Sequence, residues 1–75
     1  MIYMKITDPE TIGKLVRTKR KSQKLTQQQL AGASGTGLRF IIELEQGKPT
    51  CQIGKILQVL GMLGITLTTQ PRNKA

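Results

Sequence analysis

The chain has 75 residues and carries 12 Lys and Arg against 4 Asp and Glu, a net charge of +8. That length allows one domain, which buries only ~60% of its unfolded surface and gains from oligomerising. With no His and a single Cys, Cys51, the composition excludes an intramolecular disulfide and a Cys/His zinc cluster, and it suits a reducing cytosol.

The positive excess favours a polyanionic partner, nucleic acid or an anionic membrane surface. Non-specific DNA binding follows from such charge alone. Lys14, Arg17, Lys19, Arg20, Lys21 and Lys24 crowd one short segment. No apolar run approaches ~18 residues, so no transmembrane helix is expected. The opening MIYMKITDPE lacks the apolar core of a signal peptide. One Tyr, one Phe and no Trp leave an aliphatic core.

The chain divides into an extended segment (1–7), a helical domain (8–64), a strand (65–70) and a tail read as disordered (71–75). Ile2, Met4 and Ile6 alternate with Tyr3 and Lys5, a weak strand pattern. Asp8-Pro9-Glu10 is a helix start: Asp8 caps, Pro9 takes the first position, and Glu10 suits the positive end of the dipole. This first helix runs to about Ser22 or Gln23. Ile12, Leu15 and Val16 face inward with Lys19 at the edge. Its cationic last turns suit the negative end of the helix.

The segment LTQQQLAGASGTGLRFIIELEQG, residues 25–47, organises the rest. Thr26 and Gln29 form a capping box for a helix over 27–33 that buries Leu30 and Ala31. Gly35 supplies the backbone of a sharp reversal. Thr36 caps a second helix whose Leu38, Ile41, Ile42 and Leu44 mostly share a face. Gly47 and Pro49 end it. Two helices around a turn of about 3–4 residues are either a DNA-reading helix-turn-helix or a plain helical hairpin in a bundle.

In the DNA reading, Gly37, Leu38, Arg39, Ile42 and Glu43 face base edges. Arg39 suits a bidentate bond to guanine. Glu43, one turn later, either accepts from a cytosine amino group or orients Arg39. Leu38 and Ile42 offer apolar contact to thymine methyls, and core or dimer packing is an equal role for Ile42. Gln27, Gln28 and Thr36, with Arg17, Lys24 and Lys48, are candidates for phosphate. Arg20 and Glu45 end helices that must meet, so an internal ion pair is their expected role.

Beyond the loop, Thr50 is expected to cap a fourth helix over 51–62. Ile53, Ile56, Leu57 and Leu60 should face the core, flanked by Val59 and Leu63. Gly54 and Gly61 suggest a closely packed neighbour. Gly64 stops the helix. ITLTTQ, residues 65–70, is β-branched and alternating, with Ile65, Leu67 and Thr69 on one side. A lone strand is unstable. Its partner is either the 1–6 segment or, preferably, its symmetry mate in a dimer.

Catalysis finds little footing. The carboxylates are Asp8, Glu10, Glu43 and Glu45, no phosphate-binding Gly-Lys-Ser/Thr loop is present, and Cys51 has no base beside it. No enzyme, cofactor, metal or membrane role is expected.

Leu25-Thr26-Gln27, Leu30-Ala31, Gly35, Ile41 and Leu44-Glu45-Gln46-Gly47 resemble the XRE, or Cro/C1-type, helix-turn-helix across residues 12–63. The resemblance implies an all-α, lambda-repressor-like helix-turn-helix bundle of four to five helices. It also implies a phosphate contact by Gln27 and an Arg20–Glu45 ion pair. The stretch RFIIELEQGKPTCQIGKILQVLGMLGITL is similar to the HipB-type antitoxins. That branch implies a cytoplasmic homodimer joined by a C-terminal β-strand, double-stranded operator DNA as ligand, and a HipA-like serine/threonine kinase toxin as partner. Half-site centres would lie ~34 Å apart. Ser34 and Leu38 depart from the family pattern, so no operator sequence is transferred. A stand-alone phage-type repressor and a protein-interaction module are the alternatives.

Overall fold

A computed structural model describes residues 5–69. Four helices follow in order: α1 (Pro9–Ser22), α2 (Gln27–Ser34), α3 (Leu38–Glu45) and α4 (Ile53–Met62). The 1–4 part of the proposed N-terminal strand and the proposed tail lie outside the described residues. Asp8 starts α1: its carboxylate accepts from the Thr11 backbone N–H and hydroxyl, both at 2.8 Å. The basic residues Lys19, Arg20 and Lys21 close its last turn. Lys24, at φ 60°, then turns the chain toward α2 in the left-handed region.

The core is a single aliphatic cluster. It takes Val16 from α1, Leu30 and Ala31 from α2, and Ile41 and Leu44 from α3. Ile56, Val59 and Leu60 from α4 complete it with Leu63 just beyond. Ile12, Leu25, Phe40, Cys51 and Ile65 pack against its edge. Helix α3 sits between α1 and α2, and α4 closes the far side of α2.

The tightest glycine site is backbone on backbone. A Cβ at Gly13 would stand 2.5 Å from the Leu44 carbonyl oxygen and 2.9 Å from that of Glu45. Glycine is therefore what lets α1 lie against the end of α3. Gly47 (φ 82°) reverses the chain after α3, and a side chain there would strike Glu10. These two contacts lock the start of α1 to the exit of α3.

Several expectations need correction. Thr36 does not cap α3: Gly37 is the N-cap, without a side-chain bond. The Thr36 hydroxyl instead meets Ser34 Oγ at 2.9 Å. Thr50 does not cap α4, which begins at Ile53 behind Gln52. The turn at Pro49 and Thr50 uses those residues, and Cys51 tucks against the core. The inward stripe of α4 is Ile56, Val59, Leu60 and Leu63, while Ile53 is 63% and Leu57 51% exposed. At 100° per residue, Ile53 and Leu57 fall together on the flank beyond Leu60. Gly54 and Gly61 have no neighbour within 4 Å of an added Cβ. Apart from these corrections, the described residues of the single chain contain no β-ladder; the Ile65 N–H donates to the Leu60 carbonyl at 2.9 Å, and Ile65 rests on the core.

Two glycines should respond in opposite directions. Gly13→Ala is expected to lose ~1–3 kcal/mol in urea unfolding, because neither carbonyl can move without shifting a helix. Gly32→Ala, in α2 with open space around it, should gain ~0.5–1 kcal/mol.

Acid sensitivity should trace partly to Asp8, whose carboxyl is held below its usual 3.8, chiefly by the Thr11 hydrogen bonds. A depressed carboxyl stabilises fully above the unfolded value and loses that contribution as pH falls through the folded one. Asp8→Asn should therefore flatten thermal stability against pH below about 4, and an unchanged slope would refute the cap's role.

Candidate nucleic-acid interface

The helix–turn–helix is built by local bonds. Thr26 Oγ1 accepts from the Gln29 N–H at 3.0 Å, and Gln29 Oε1 accepts from the Thr26 N–H at 2.9 Å. This reciprocal cap starts α2 at Gln27. Gly35 ends it in the left-handed conformation, φ 73°. The Thr36 N–H returns to the Ala31 carbonyl at 3.0 Å. Gly37 then opens α3, whose first N–H groups carry no side-chain cap. Ser34, the polar residue before the turn, is buried yet satisfied: its hydroxyl donates to the Leu30 carbonyl at 2.8 Å.

Helix α3 buries Ile41 and Leu44 and turns the opposite side outward. Leu38 and Arg39 are exposed there; Ile42 and Glu43 are half-buried. Leu38, Arg39, Ile42, Glu43 and Gln46 line one shallow depression of about 460 Å³. Gly37 stands exposed at the helix entrance. Gln46 was missed from the sequence, although its spacing from Arg39 and Ile42 is helical. As the C-cap of α3 it belongs to the same exposed face. Leu38 and Ile42 therefore leave the core stripe that the apolar pattern suggested.

Arg39 is 88% exposed and stands 3.9 Å from one Glu43 oxygen. Lys48 reaches the other oxygen at 3.2 Å. Glu43 thus lies between two cations, and Lys48 is engaged with it rather than standing free. Phe40 packs against the core with the Lys55 ammonium 5.7 Å from its ring centre.

Behind this face lies a buried polar node. Arg20 Nε donates to Glu45 Oε2 at 2.6 Å and Nη2 donates to Oε1 at 3.1 Å. Arg20 Nη1 also donates to the Leu25 carbonyl at 2.8 Å. Gln27 Nε2 donates to the same Glu45 Oε1 at 3.1 Å. One carboxylate therefore aligns the end of α1, the start of α2 and the end of α3. It also spends one amide hydrogen of Gln27, leaving the second for another acceptor. Arg20, buried in this node, is not part of the outward cationic set. Arg17, Lys24 and Gln28 are exposed, and Thr36 is half-buried.

Cys51 fits a packing role. Burial pushes its thiol up, and the Glu43 carboxylate adds to this against Lys48. It lines an apolar cleft of about 300 Å³ with Ile6, Pro9, Ile12, Leu44 and Ile56. Among the described residues no group of three or more His, Cys, Asp or Glu could hold a metal. No helix there is long and apolar enough to cross a membrane.

The chain is 59% identical over 63 residues to the "Uncharacterized HTH-type transcriptional regulator y4mF" of Sinorhizobium fredii (strain NBRC 101917 / NGR234), covering 84% of this chain and 83% of that one. The chain belongs to the HTH-type transcriptional regulators. The regulator's fold is that of HipB, an XRE-type helix-turn-helix protein. It superposes on the protein of a HipB–O4 20mer complex with a TM-score of 0.84 at 20% identity, covering 95% of this chain and 100% of that one. A HipA–HipB–O2–O3 complex gives 0.85 at 20% identity, with the same coverage. No protein-family model matches the chain.

The node predicts a large mutational cost. Arg20→Met should lower stability by ~3–5 kcal/mol, since it leaves the Glu45 carboxylate buried without its partner. Thermal unfolding measures this. An unchanged melting temperature with loss of DNA binding would reassign Arg20 to the surface.

Proposed function

We propose that this regulator is a homodimeric repressor that binds operator DNA through α3, and that it is the antitoxin of a two-gene module with a HipA-like serine/threonine kinase. The observation that carries the DNA reading is the outward face of α3. Arg39, Glu43 and Gln46 offer donors and acceptors suited to base edges, with apolar Leu38 and Ile42 between them. The uncapped N–H groups at the start of α3, the Gln27 amide, Gln28, Arg17 and Lys24 supply phosphate contacts that set register. The antitoxin reading is supported by the HipB likeness, because one such neighbour is a HipA–HipB–DNA assembly.

Dimerisation is supported by what a single chain leaves unpaired. Ile53, Leu57 and Leu67 are exposed, and residues 65–69 have no strand partner among the described residues. We assign residues 65–69 to a strand that pairs with its symmetry mate, with Leu67 and Thr69 at the contact and Ile65 anchoring it to the core; residue 70 of the expected strand lies outside the described residues. A two-fold axis then sets two recognition helices about one DNA turn, ~34 Å, apart.

Protection of the DNA upstream of its own gene tests the repressor reading. A palindromic footprint is expected, with affinity falling steeply with salt. On point-mutated duplexes, Arg39→Ala should remove discrimination of ~1–3 kcal/mol at one base pair per half-site. An equal loss on every duplex would defeat base reading by Arg39. The antitoxin role requires that a kinase encoded beside the gene bind the purified dimer and lose activity on doing so. Absence of such a gene leaves the repressor reading in place and removes the antitoxin one.

A further inference from the structure

We propose that Glu43 is a specificity-determining residue of α3 that works by withholding two cations, Arg39 and Lys48, from phosphate. The inference rests on the DNA-reading assignment of α3 and goes beyond it. Each Glu43 oxygen faces a different partner, Arg39 at 3.9 Å and Lys48 at 3.2 Å. The Glu43 side chain is 28% exposed, much less than that of Arg39 at 88%, so its carboxylate is the better-held member of the group. The backbone reinforces the arrangement: the Lys48 N–H donates to the Glu43 carbonyl at 3.0 Å. Gly47, between them in sequence with α3's end, is pinned against Glu10. Lys48 is therefore tied to Glu43 twice, its main-chain N–H on the Glu43 carbonyl and its ammonium at the carboxylate.

The consequence is electrostatic. A cation free at the edge of a recognition helix binds any phosphate, and such contacts raise affinity for every sequence alike. Glu43 offsets one of the two positive charges and repels phosphate itself. Arg39, 3.9 Å from the other Glu43 oxygen, is drawn toward the helix face by charge, without a hydrogen bond to fix it. Lys48 remains on Glu43 until a matched site, where a base amino group takes over the carboxylate and frees the ammonium. On random DNA no such exchange occurs, so the clamp lowers background binding more than operator binding.

The test uses the full-length protein, a duplex selected from a random pool by the unmodified chain, and a random-sequence duplex, each titrated over a range of salt. Glu43→Gln should tighten random-duplex binding about fivefold and steepen its salt dependence by roughly 0.9 per cation released. The ratio of selected to random affinity should fall by about tenfold. Lys48→Met should leave the random-duplex salt slope unchanged alone, yet make it shallower by roughly 0.9 in the Glu43→Gln background. That non-additivity is a readout which loss of stability does not produce, and unchanged melting curves check folding. A Glu43→Gln protein with the original slope and ratio would overturn the proposal. So would Lys48→Met flattening the slope equally in both backgrounds, since Lys48 would then always sit on phosphate. If the unmodified chain enriches no sequence from the pool, the DNA-reading assignment itself fails and takes the clamp with it.

Discussion

One carboxylate, that of Glu45, decides how the helices meet. It takes two bonds from Arg20 and one from Gln27, while Arg20 also reaches the Leu25 carbonyl. These four groups come from the end of α1, the linker, the start of α2 and the end of α3. Burying two charges is costly unless geometry is good and the remaining hydrogen-bonding capacity is used. Here the geometry is bidentate and no buried side-chain nitrogen or oxygen among the described residues lacks a partner, so the node specifies an angle between helices as well as contributing energy. An aliphatic core alone would tolerate several helix arrangements, because non-directional burial sets no angle. The Gly13 contact on the carbonyls of Leu44 and Glu45 acts with it: the ion pair sets orientation, and the missing side chain sets distance.

Much of this was legible because the relevant signals are local. The Asp8 cap, the Thr26–Gln29 box, the left-handed Gly35 and the Gly47 stop each depend on a few adjacent residues, and each stands where the pattern put it. The Arg20–Glu45 pair could be inferred because charged residues at two converging helix ends have few other partners. The failures share a cause as well. Threonine before a helix satisfies the capping pattern twice, at Thr36 and Thr50, but whether it caps depends on where the turn spends its residues. Thr36 is taken by Ser34, and Thr50 by the turn with Pro49. Periodicity cannot distinguish an inward apolar residue from an outward one when a helix is apolar on more than half its circumference, as α3 and α4 are. Gly13 gave no signal at all, since a glycine inside a cationic helix reads only as a weak point.

Charge is distributed with the same economy. The chain has 4 acidic residues, and all lie among the described residues. Asp8 caps α1, Glu10 packs beneath Gly47, Glu45 is buried in the node, and Glu43 stands between Arg39 and Lys48. Asp8 is thus committed to the α1 cap and Glu45 to the interior, while Glu10 stays exposed at the surface. Only Glu43 stands on the outward face of α3. The surface carries a cationic excess, which attracts any polyanion. A regulator built this way obtains affinity almost automatically. On the proposed DNA-reading assignment its difficulty is discrimination, and Glu43 is the sole carboxylate on the outward face of α3.

Size pushes the same fold toward assembly. A domain this short leaves a large share of its apolar surface to water, and the described residues keep Ile53, Leu57 and Leu67 exposed. These sit on α4 and just beyond it, behind α2 in the packing order and apart from the outward face of α3. A two-fold contact there would bury apolar area without occluding the recognition helix. It would also supply the missing neighbour for residues 65–69. The same event would double the cationic surface and fix the spacing of two reading faces. Stability and operator geometry would then come from one interface, so a substitution weakening that contact would cost affinity for a palindrome far more than affinity for an isolated half-site. That difference separates a two-fold reader from a monomer that merely carries a basic helix.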